Sequence, residues 1–256
     1  MRDNADLRSG TAVITGAASK RGIGRALAGR LAASGWRLGL LDIDLEVEKV
    51  AAALGAEHDV AAMGAVADIA DPESVDAAVS GFEAELPPIT AIVNIAGISA
   101  PTSLLDADFA TWERVMRINA TGTFVTCKRI VPGLVERGYG RVVNLGSTAM
   151  QNGGGTYSKS TYAASKAAIE GFSRALALEV APSGVTVNVV APATIDTDIM
   201  GGRITDERKP AFLAQLPVGR LGTTREVAAL IEFLIGEEAG YITGATYNIN
   251  GGLRIG

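Results

Sequence analysis

The stretch TAVITGAASKRGIGRAL, Thr11 to Leu27, decides the fold. A short apolar run of strand character leads straight into a glycine-bearing turn, and the turn leads straight into a helical pattern that starts at Ile23-Gly24-Arg25-Ala26-Leu27. Glycine at a strand-to-helix turn lets backbone approach a diphosphate closely, and the helix N-terminus beyond it supplies free amides and the positive end of a dipole. Gly16, Ser19, Arg21, Gly22, Ile23 and Gly24 are therefore the expected contacts on the phosphate side. A glycine-rich turn alone serves equally as a plain βα connection, so its reading depends on what surrounds it.

Working outward, short runs rich in Val, Ile and Leu fall at 11–15, 37–41, around 63–67, 90–95, 141–146, 185–190 and 246–249. Helical patterns, many of them Ala-rich, lie between them at 23–34, 45–54, 72–85, 108–136, 161–181 and 224–235. This alternation predicts βαβ units: an α/β fold with a single doubly wound parallel sheet of about seven strands and helices on both faces. Runs such as Ala91-Ile92-Val93 lack polar alternation, as strands covered on both faces do. Asp71-Pro72-Glu73 and Thr223-Thr224-Arg225-Glu226 carry helix-start chemistry. With no linker or fixed-period repeat in view, residues 1–256 read as one dinucleotide-binding and catalytic domain.

Composition agrees. Gly is the outlier, 31 of 256 residues or about 12% against a usual level near 7%, which calls for many tight turns or close backbone approaches. The formal charge of −5 gives no basic footprint, so nucleic acid is not an expected partner. The single cysteine, Cys127, cannot form an internal disulfide or a Cys/His metal cluster, and no metal is expected; a reducing, cytoplasmic setting fits. The stretch Met1 to Gly10 lacks an apolar core and reads as a frayed start, not a secretory signal. Residues 86 to 105 are uncharged, but Pro87, Pro88, Asn94 and Pro101 interrupt them, so no membrane span is expected.

The second strand ends at Asp42, 26 residues beyond Gly16. A carboxylate there accepts hydrogen bonds from ribose hydroxyls and repels a 2′-phosphate, which favours NAD over NADP. Two facts weigh against this: Asp42 sits in an acidic stretch with Asp44 and Glu46, where a helix cap or solvated turn is also a fair reading, and Lys20 and Arg21 add cations to the phosphate turn. Ile43 is counted with Asp42 as a cofactor contact. Asp68 and Ile69, after the third strand, are placed to meet an adenine, although Asp68 reads equally well as another helix cap. Asn94-Ile95-Ala96-Gly97 ends the fourth strand with small residues, and Asn94, Ala96 and Gly97 leave room for a flat cofactor at the switch point of the sheet.

Tyr162 and Lys166 stand four apart at the opening of a helical pattern and project from one face. An ammonium beside a phenol is expected to lower the phenol's pKa and equip it for proton transfer near neutral pH. Tyr157, whose fourth neighbour is Thr161, is the poorer candidate. Ser147 ends the fifth strand, where its hydroxyl can donate to a carbonyl oxygen that gains negative charge. Asn119, a poor helix former close to Gly122, predicts a local helix distortion that can offer a carbonyl to water.

Taken together, these segments resemble the short-chain dehydrogenase/reductase family, NAD(P)-dependent oxidoreductases with one Rossmann-type domain. The resemblance runs from Thr15 to Gly252 and is carried by the glycine turn (family form TGxxxGxG), Asn94 to Gly97 (NNAG), Asn119, Ser147, and Tyr162 with Lys166 (YxxxK). It extends to Ala191-Pro192-Ala193-Thr194-Ile195-Asp196-Thr197, similar to PGxIxT, and to the closing stretch from Tyr241 to Gly252. It implies Tyr162 as general acid/base, Lys166 as its electrostatic partner and a ribose ligand, Ser147 as carbonyl polariser, Asn119 as anchor of a relay water, and Pro192, Ile195 and Thr197 as contacts near the nicotinamide. Departures are two extra residues in the glycine turn, Ile95 for the second Asn, Ala193 for Gly, and two extra residues between Ser147 and Tyr162.

Substrate is expected beneath two loops, 148–161 with Gln151, Asn152, Tyr157 and Ser158, and 194–216 with Ile199, Met200, Ile204 and Phe212. The leading expectation is an NAD(H)-dependent enzyme for a small secondary alcohol, polyol or sugar-like substrate and its ketone. The alternatives are a 3-oxoacyl carrier-protein reductase using NADPH, which a preference for NADPH over NADH would single out, and a non-catalytic dinucleotide-binding sensor. His58 reads as a surface residue, Cys127 as core or interface packing, and Trp36, Trp112, Phe124 and Phe172 as packing. The helices at 108–136 and 161–181 carry few charges, which predicts self-association, and the resemblance implies a homotetramer.

Overall fold

A computed structural model describes residues 7–155 and 158–255, so the start of the N-terminal stretch and Tyr157 lie outside the described residues. Within them the chain runs β1 (Thr11–Thr15), α1 (Ile23–Ala33), β2 (Arg37–Asp42), α2 (Glu46–His58), β3 (Ala62–Val66), α3 (Pro72–Glu85), β4 (Ile89–Asn94), α4 (Phe109–Met116), α5 (Gly122–Arg137), β5 (Gly140–Leu145), α6 (Ala149–Asn152), α7 (Ser160–Val180), β6 (Val185–Pro192), α8 (Lys209–Leu213), α9 (Thr224–Ile235) and β7 (Thr246–Ile249). The seven strands form one parallel sheet in the order β3-β2-β1-β4-β5-β6-β7. The order reverses between β1 and β4, which makes the crevice at their carboxyl ends the natural ligand position.

Strand side chains alternate between two cores. On β1, Ala12 and Ile14 join the cluster built with Leu27 and Leu31 of α1 and Ile231 and Leu234 of α9, whereas Val13 joins Phe82 of α3 and Leu134 of α5 on the opposite face. Both faces are thus buried, and burying each such Leu or Ile contributes roughly 1.5–3 kcal/mol. Gly39 of β2 is required by this packing, because a Cβ there would stand 2.8 Å from the Phe82 ring. Trp36, just before β2, is fully buried.

Helix starts follow the expected chemistry at two places. The Asp71 carboxylate accepts from the Glu73 N–H ahead of α3, and Thr223 with Glu226 forms a reciprocal capping box at α9. Asp44 accepts from the Glu46 N–H as α2 begins. The predicted 108–136 helix carries the local distortion expected at Asn119: α4 and α5 are joined by a π-helical turn, Arg117–Thr121, with Asn119 at its centre. Strand limits move by one or two residues because β4 and β5 begin at Ile89 and Gly140, which pair with Thr11 and Val185. Two short helices, α6 and α8, lie in stretches that carry no period long enough to reveal them.

The N-terminus is docked from residue 7 onward, since Leu7 is buried and its carbonyl accepts from the Thr90 hydroxyl at 2.8 Å. That corrects the frayed reading for residues 7–10. Trp112 and Phe124 are also corrected: both are substantially exposed, Phe124 making only an edge-on ring contact with Phe172. His58 closes α2 beside Glu57. Among the described residues no helix is long and apolar enough to cross a membrane.

Candidate active site

The crevice has a volume of about 490 Å³ and opens at the carboxyl ends of β1, β4, β5 and β6. Gly16 turns the chain out of β1 with φ +75°, and a Cβ there would meet the Ala96 backbone at 2.9 Å, so glycine alone suits the position. Gly24 is equally constrained, its absent Cβ lying 2.2 Å from the Gly16 carbonyl oxygen. The Thr15 hydroxyl accepts the Ile95 and Ala96 N–H groups at 3.0 and 3.1 Å, which ties the β1 turn to the β4 turn. The Ile95 departure is therefore absorbed through its backbone. In contrast to α3 and α9, α1 has Gly22 at its cap and no side-chain cap bond, so its first amides are free for an anion.

Asp42 lines the crevice and is oriented from both sides. Its Oδ2 accepts the Ala18 N–H at 2.8 Å and its Oδ1 accepts the Asp44 N–H at 3.1 Å. Asp68 also lines the crevice, with Oδ1 on the Ala70 N–H and Oδ2 on the Arg117 guanidinium at 2.6 Å; it is Asp71, not Asp68, that caps α3. Ser19, Gly22, Ile23, Ile43, Ile69, Ala96, Gly97, Pro192, Ile195 and Thr197 line the same space. Arg21 and Gly24 do not line it: Gly24 is packed under the turn, and Arg21 reaches outward to Asp196 and Asp198. Asn94 also lies behind the wall, where it joins a buried network. Its Nδ2 donates to Asn144 at 2.8 Å and to the Cys127 sulfur, its Oδ1 accepts from Thr126, and Asn144 donates on to Ser173. Burial pushes the Cys127 thiol up to about 12, so it is an inert core residue.

Ser147 and Tyr162 face the crevice and share a hydrogen bond. Lys166 stands behind them, fully buried, its Nζ donating to the Leu145 carbonyl at 2.7 Å and lying 5.9 Å from the Tyr162 ring centroid. The two side chains therefore share a face as their spacing predicts. The expected fall in the phenol's pKa is not found. Burial raises the Tyr162 pKa above its usual value, the Ser147 hydrogen bond pulling the other way, and burial lowers Lys166 to about 8. The physical reason is that withdrawal from water penalises tyrosinate and ammonium alike, and the ammonium spends its short contact on a carbonyl. With a pKa near 8, Lys166 is still mostly charged at neutral pH.

Asn119 is fully buried on the π-turn, which swings its side chain toward the β4 exit. Its Oδ1 accepts the Ile98 N–H at 2.8 Å, and its Nδ2 donates to the Ile98 carbonyl and to the Ser165 hydroxyl, each at 3.0 Å. Its main-chain carbonyl accepts from Thr123. Asn119 thus clasps the loop after β4 to the helix that carries Tyr162 and Lys166. Ala193 keeps an ordinary φ, since Asp59 alone among described non-glycine residues has a positive one.

Sequence reasoning missed Ile98, Ser99 and Leu253 as lining residues, whereas Gln215 falls in the expected 194–216 loop. Leu253 arrives because Gly251 and Gly252, at φ +60° and +84°, fold the C-terminal tail back against the Leu216–Val218 end of the lid. No local pattern announces that return.

Comparison with known proteins gives a consistent picture. The family model described as Enoyl-(Acyl carrier protein) reductase matches residues 16–254. Over 250 residues the chain is 36% identical to an uncharacterized short-chain type dehydrogenase/reductase, y4mP, of Sinorhizobium fredii, covering 97% of this chain and 99% of that one. It is 37% identical over 245 residues to the 3-oxoacyl-[acyl-carrier-protein] reductase FabG of Escherichia coli, covering 94% and 96%. Among solved structures, a 3-oxoacyl-[acyl-carrier protein] reductase with bound NAD from Brucella melitensis superposes with a TM-score of 0.88 at 31% identity, covering 98% of this chain and 95% of that one.

Proposed function

The chain belongs to the short-chain dehydrogenase/reductase family of oxidoreductases, and we propose that it interconverts a secondary alcohol and its ketone with NAD(H) as the hydride carrier. The observation that carries the cofactor half of this reading is Asp42, a carboxylate anchored on the Ala18 and Asp44 amides at the crevice wall. Placed at the end of β2 it accepts ribose hydroxyls and opposes an additional phosphate. The free amides at the start of α1, Gly16, Gly22 and the small residues at Ala96 and Gly97 suit a dinucleotide. When bound, a nicotinamide supplies or accepts the hydride.

The chain's own residues handle the oxygen and its proton. Ser147 donates a hydrogen bond to the substrate oxygen, which gains charge as reduction proceeds. Tyr162, a phenol and so protonated at neutral pH, delivers the proton to that oxygen and takes it back in the oxidative direction. Lys166 places a positive charge behind the phenol and offsets the tyrosinate as it forms. Asn119 holds the frame between the β4 loop and α7.

A second reading is favoured by the relatives: FabG of Escherichia coli and the Brucella melitensis protein are named 3-oxoacyl carrier-protein reductases. A 3-oxoacyl thioester has the same reacting ketone, so the catalytic group serves both. Steady-state kcat/KM with NADH and with NADPH, across simple ketones, sugar-like ketones and a 3-oxoacyl thioester, separates them. Preference for NADH with a small ketone supports the first reading, and preference for NADPH with the thioester replaces it by the second. We further infer that the 256 residues act as one catalytic unit in a homotetramer. Leu104, Leu105, Phe109 and Phe124 form apolar exposed points around α4 and α5 that self-association would cover.

A further inference from the structure

The glycine turn and the lid over the crevice meet through charge. The Ser19 hydroxyl donates to Asp198 Oδ2 at 2.8 Å, Arg21 Nη2 donates to Asp196 Oδ1, and Arg21 Nε lies 3.4 Å from Asp198 Oδ1. Asp196 is itself set by the Ile204 N–H, which it accepts at 3.1 Å. Both carboxylates come from the 194–216 segment, so the lid takes the Ser19 and Arg21 side chains of the phosphate turn, while Asp42 takes the Ala18 amide. The turn from Ala18 to Arg21 is therefore ringed by three carboxylates.

These side chains remain reachable, Arg21 keeping 32% of its surface, Asp196 33% and Asp198 42%. Ser19 and Asp198 line the crevice itself. A diphosphate seated on the free amides of α1 needs the donors next to those amides, and a guanidinium presents the same fork to a phosphate as to a carboxylate. The carboxylates also repel it at short range. The diphosphate and the two lid carboxylates cannot both hold Ser19 and Arg21 in full.

We propose that a dinucleotide's diphosphate competes with Asp196 and Asp198 for Ser19 and Arg21, so that cofactor binding and closure of the 194–216 lid are set against each other. The inference rests on the reading that the crevice takes a dinucleotide. Asp196 and Asp198 are positioning residues in it: they act through Ser19 and Arg21 and set cofactor affinity.

The test is calorimetric titration with ADP-ribose, which carries the diphosphate without a nicotinamide, using adenosine as the control. The Asp196→Asn/Asp198→Asn double variant is expected to bind ADP-ribose about tenfold more tightly than wild type, with adenosine unchanged. Adding Arg21→Gln to that variant is expected to cancel the gain. Hydrogen exchange supplies the second readout: ADP-ribose is expected to speed amide exchange across 196–204 in the wild type. Equal or weaker ADP-ribose binding by the double variant, its fold verified by circular dichroism, overturns the competition, and so does slower lid exchange with ligand. If the single Asp→Asn variants replace a double variant that fails to fold, each is expected to gain part of the affinity, and no gain in either overturns the proposal. Failure of wild type and variants alike to bind ADP-ribose, NADH or NADPH overturns the dinucleotide reading itself.

Discussion

Lys166 and Arg21 are both cations beside the crevice, and the molecule holds them in opposite ways. Lys166 is sealed in the floor, bonded to the neutral Leu145 carbonyl, and the floor's buried amides and hydroxyls satisfy one another in two sets, Asn119 with Ser165 and Asn94 with Asn144 and Ser173. Arg21 stands at the rim, one-third exposed, between two carboxylates from the lid. A buried charge held by a carbonyl carries a desolvation cost and has nowhere to go; a half-exposed charge held by carboxylates is screened by water and exchanges partners at little cost. The floor is thus built for geometry and the rim for exchange.

The largest test of that contrast is Tyr162→Phe, which keeps the ring in the floor and removes only the proton carrier. Turnover is expected to fall by about a thousandfold with cofactor affinity retained, as read by steady-state rates beside a binding titration. Unchanged turnover would take the floor out of the chemistry. Next comes Asn144→Leu, which strips the partner from Asn94 and Ser173 at the centre of the network. A loss of about 3 kcal/mol in urea unfolding is expected, and a loss below about 1 would mean the network is dispensable.

Lys166 gives a pH signature of about 2 kcal/mol. Its folded pKa, about 8, lies below the ordinary value of 10.5, so between those two values the unfolded chain binds more protons than the native one. The burial penalty is therefore complete below pH 8 and fades as pH rises toward 10.5, and stability gains with pH in that window. Comparing wild type with Lys166→Met, the wild type is expected to improve relative to the variant by about 2 kcal/mol from pH 7 to pH 9.5. A pH-independent difference would show that Lys166 is not desolvated. The smallest effect belongs to the lid. Phe212→Ala is expected to raise KM for an apolar ketone severalfold while kcat and stability stay within about 0.5 kcal/mol of wild type.

The same contrast explains what could be read before the fold was known. The floor's elements announce themselves locally: an apolar run into Gly16, Tyr162 and Lys166 four apart on one helix, and Asn119 as an unfavourable helix residue near Gly122 that marks the π-turn. Its supporting partners do not, because the Leu145 carbonyl and the Ser165 hydroxyl acquire meaning only when α7 docks on β5 and the π-turn. The phenol's raised pKa has no sequence signature for the same reason, since helical spacing gives proximity and says nothing of desolvation. At the rim, Arg21 meets Asp196 across 175 residues, and Leu253 enters the crevice only after two glycines reverse the tail. Neither pairing has a periodic signature.

The wide turn at Arg117–Thr121 holds one residue more than an α-helical turn would. Deleting one of its five residues would let α4 and α5 merge into uniform α-helix, and because the wide turn already absorbs the extra residue, the helices on either side would keep nearly their present register. What would be lost is the widened backbone that aims the Asn119 amide at Ile98 and Ser165. A change in residue number at this segment therefore costs the Asn119 clasp before it costs the packing of the helices around it.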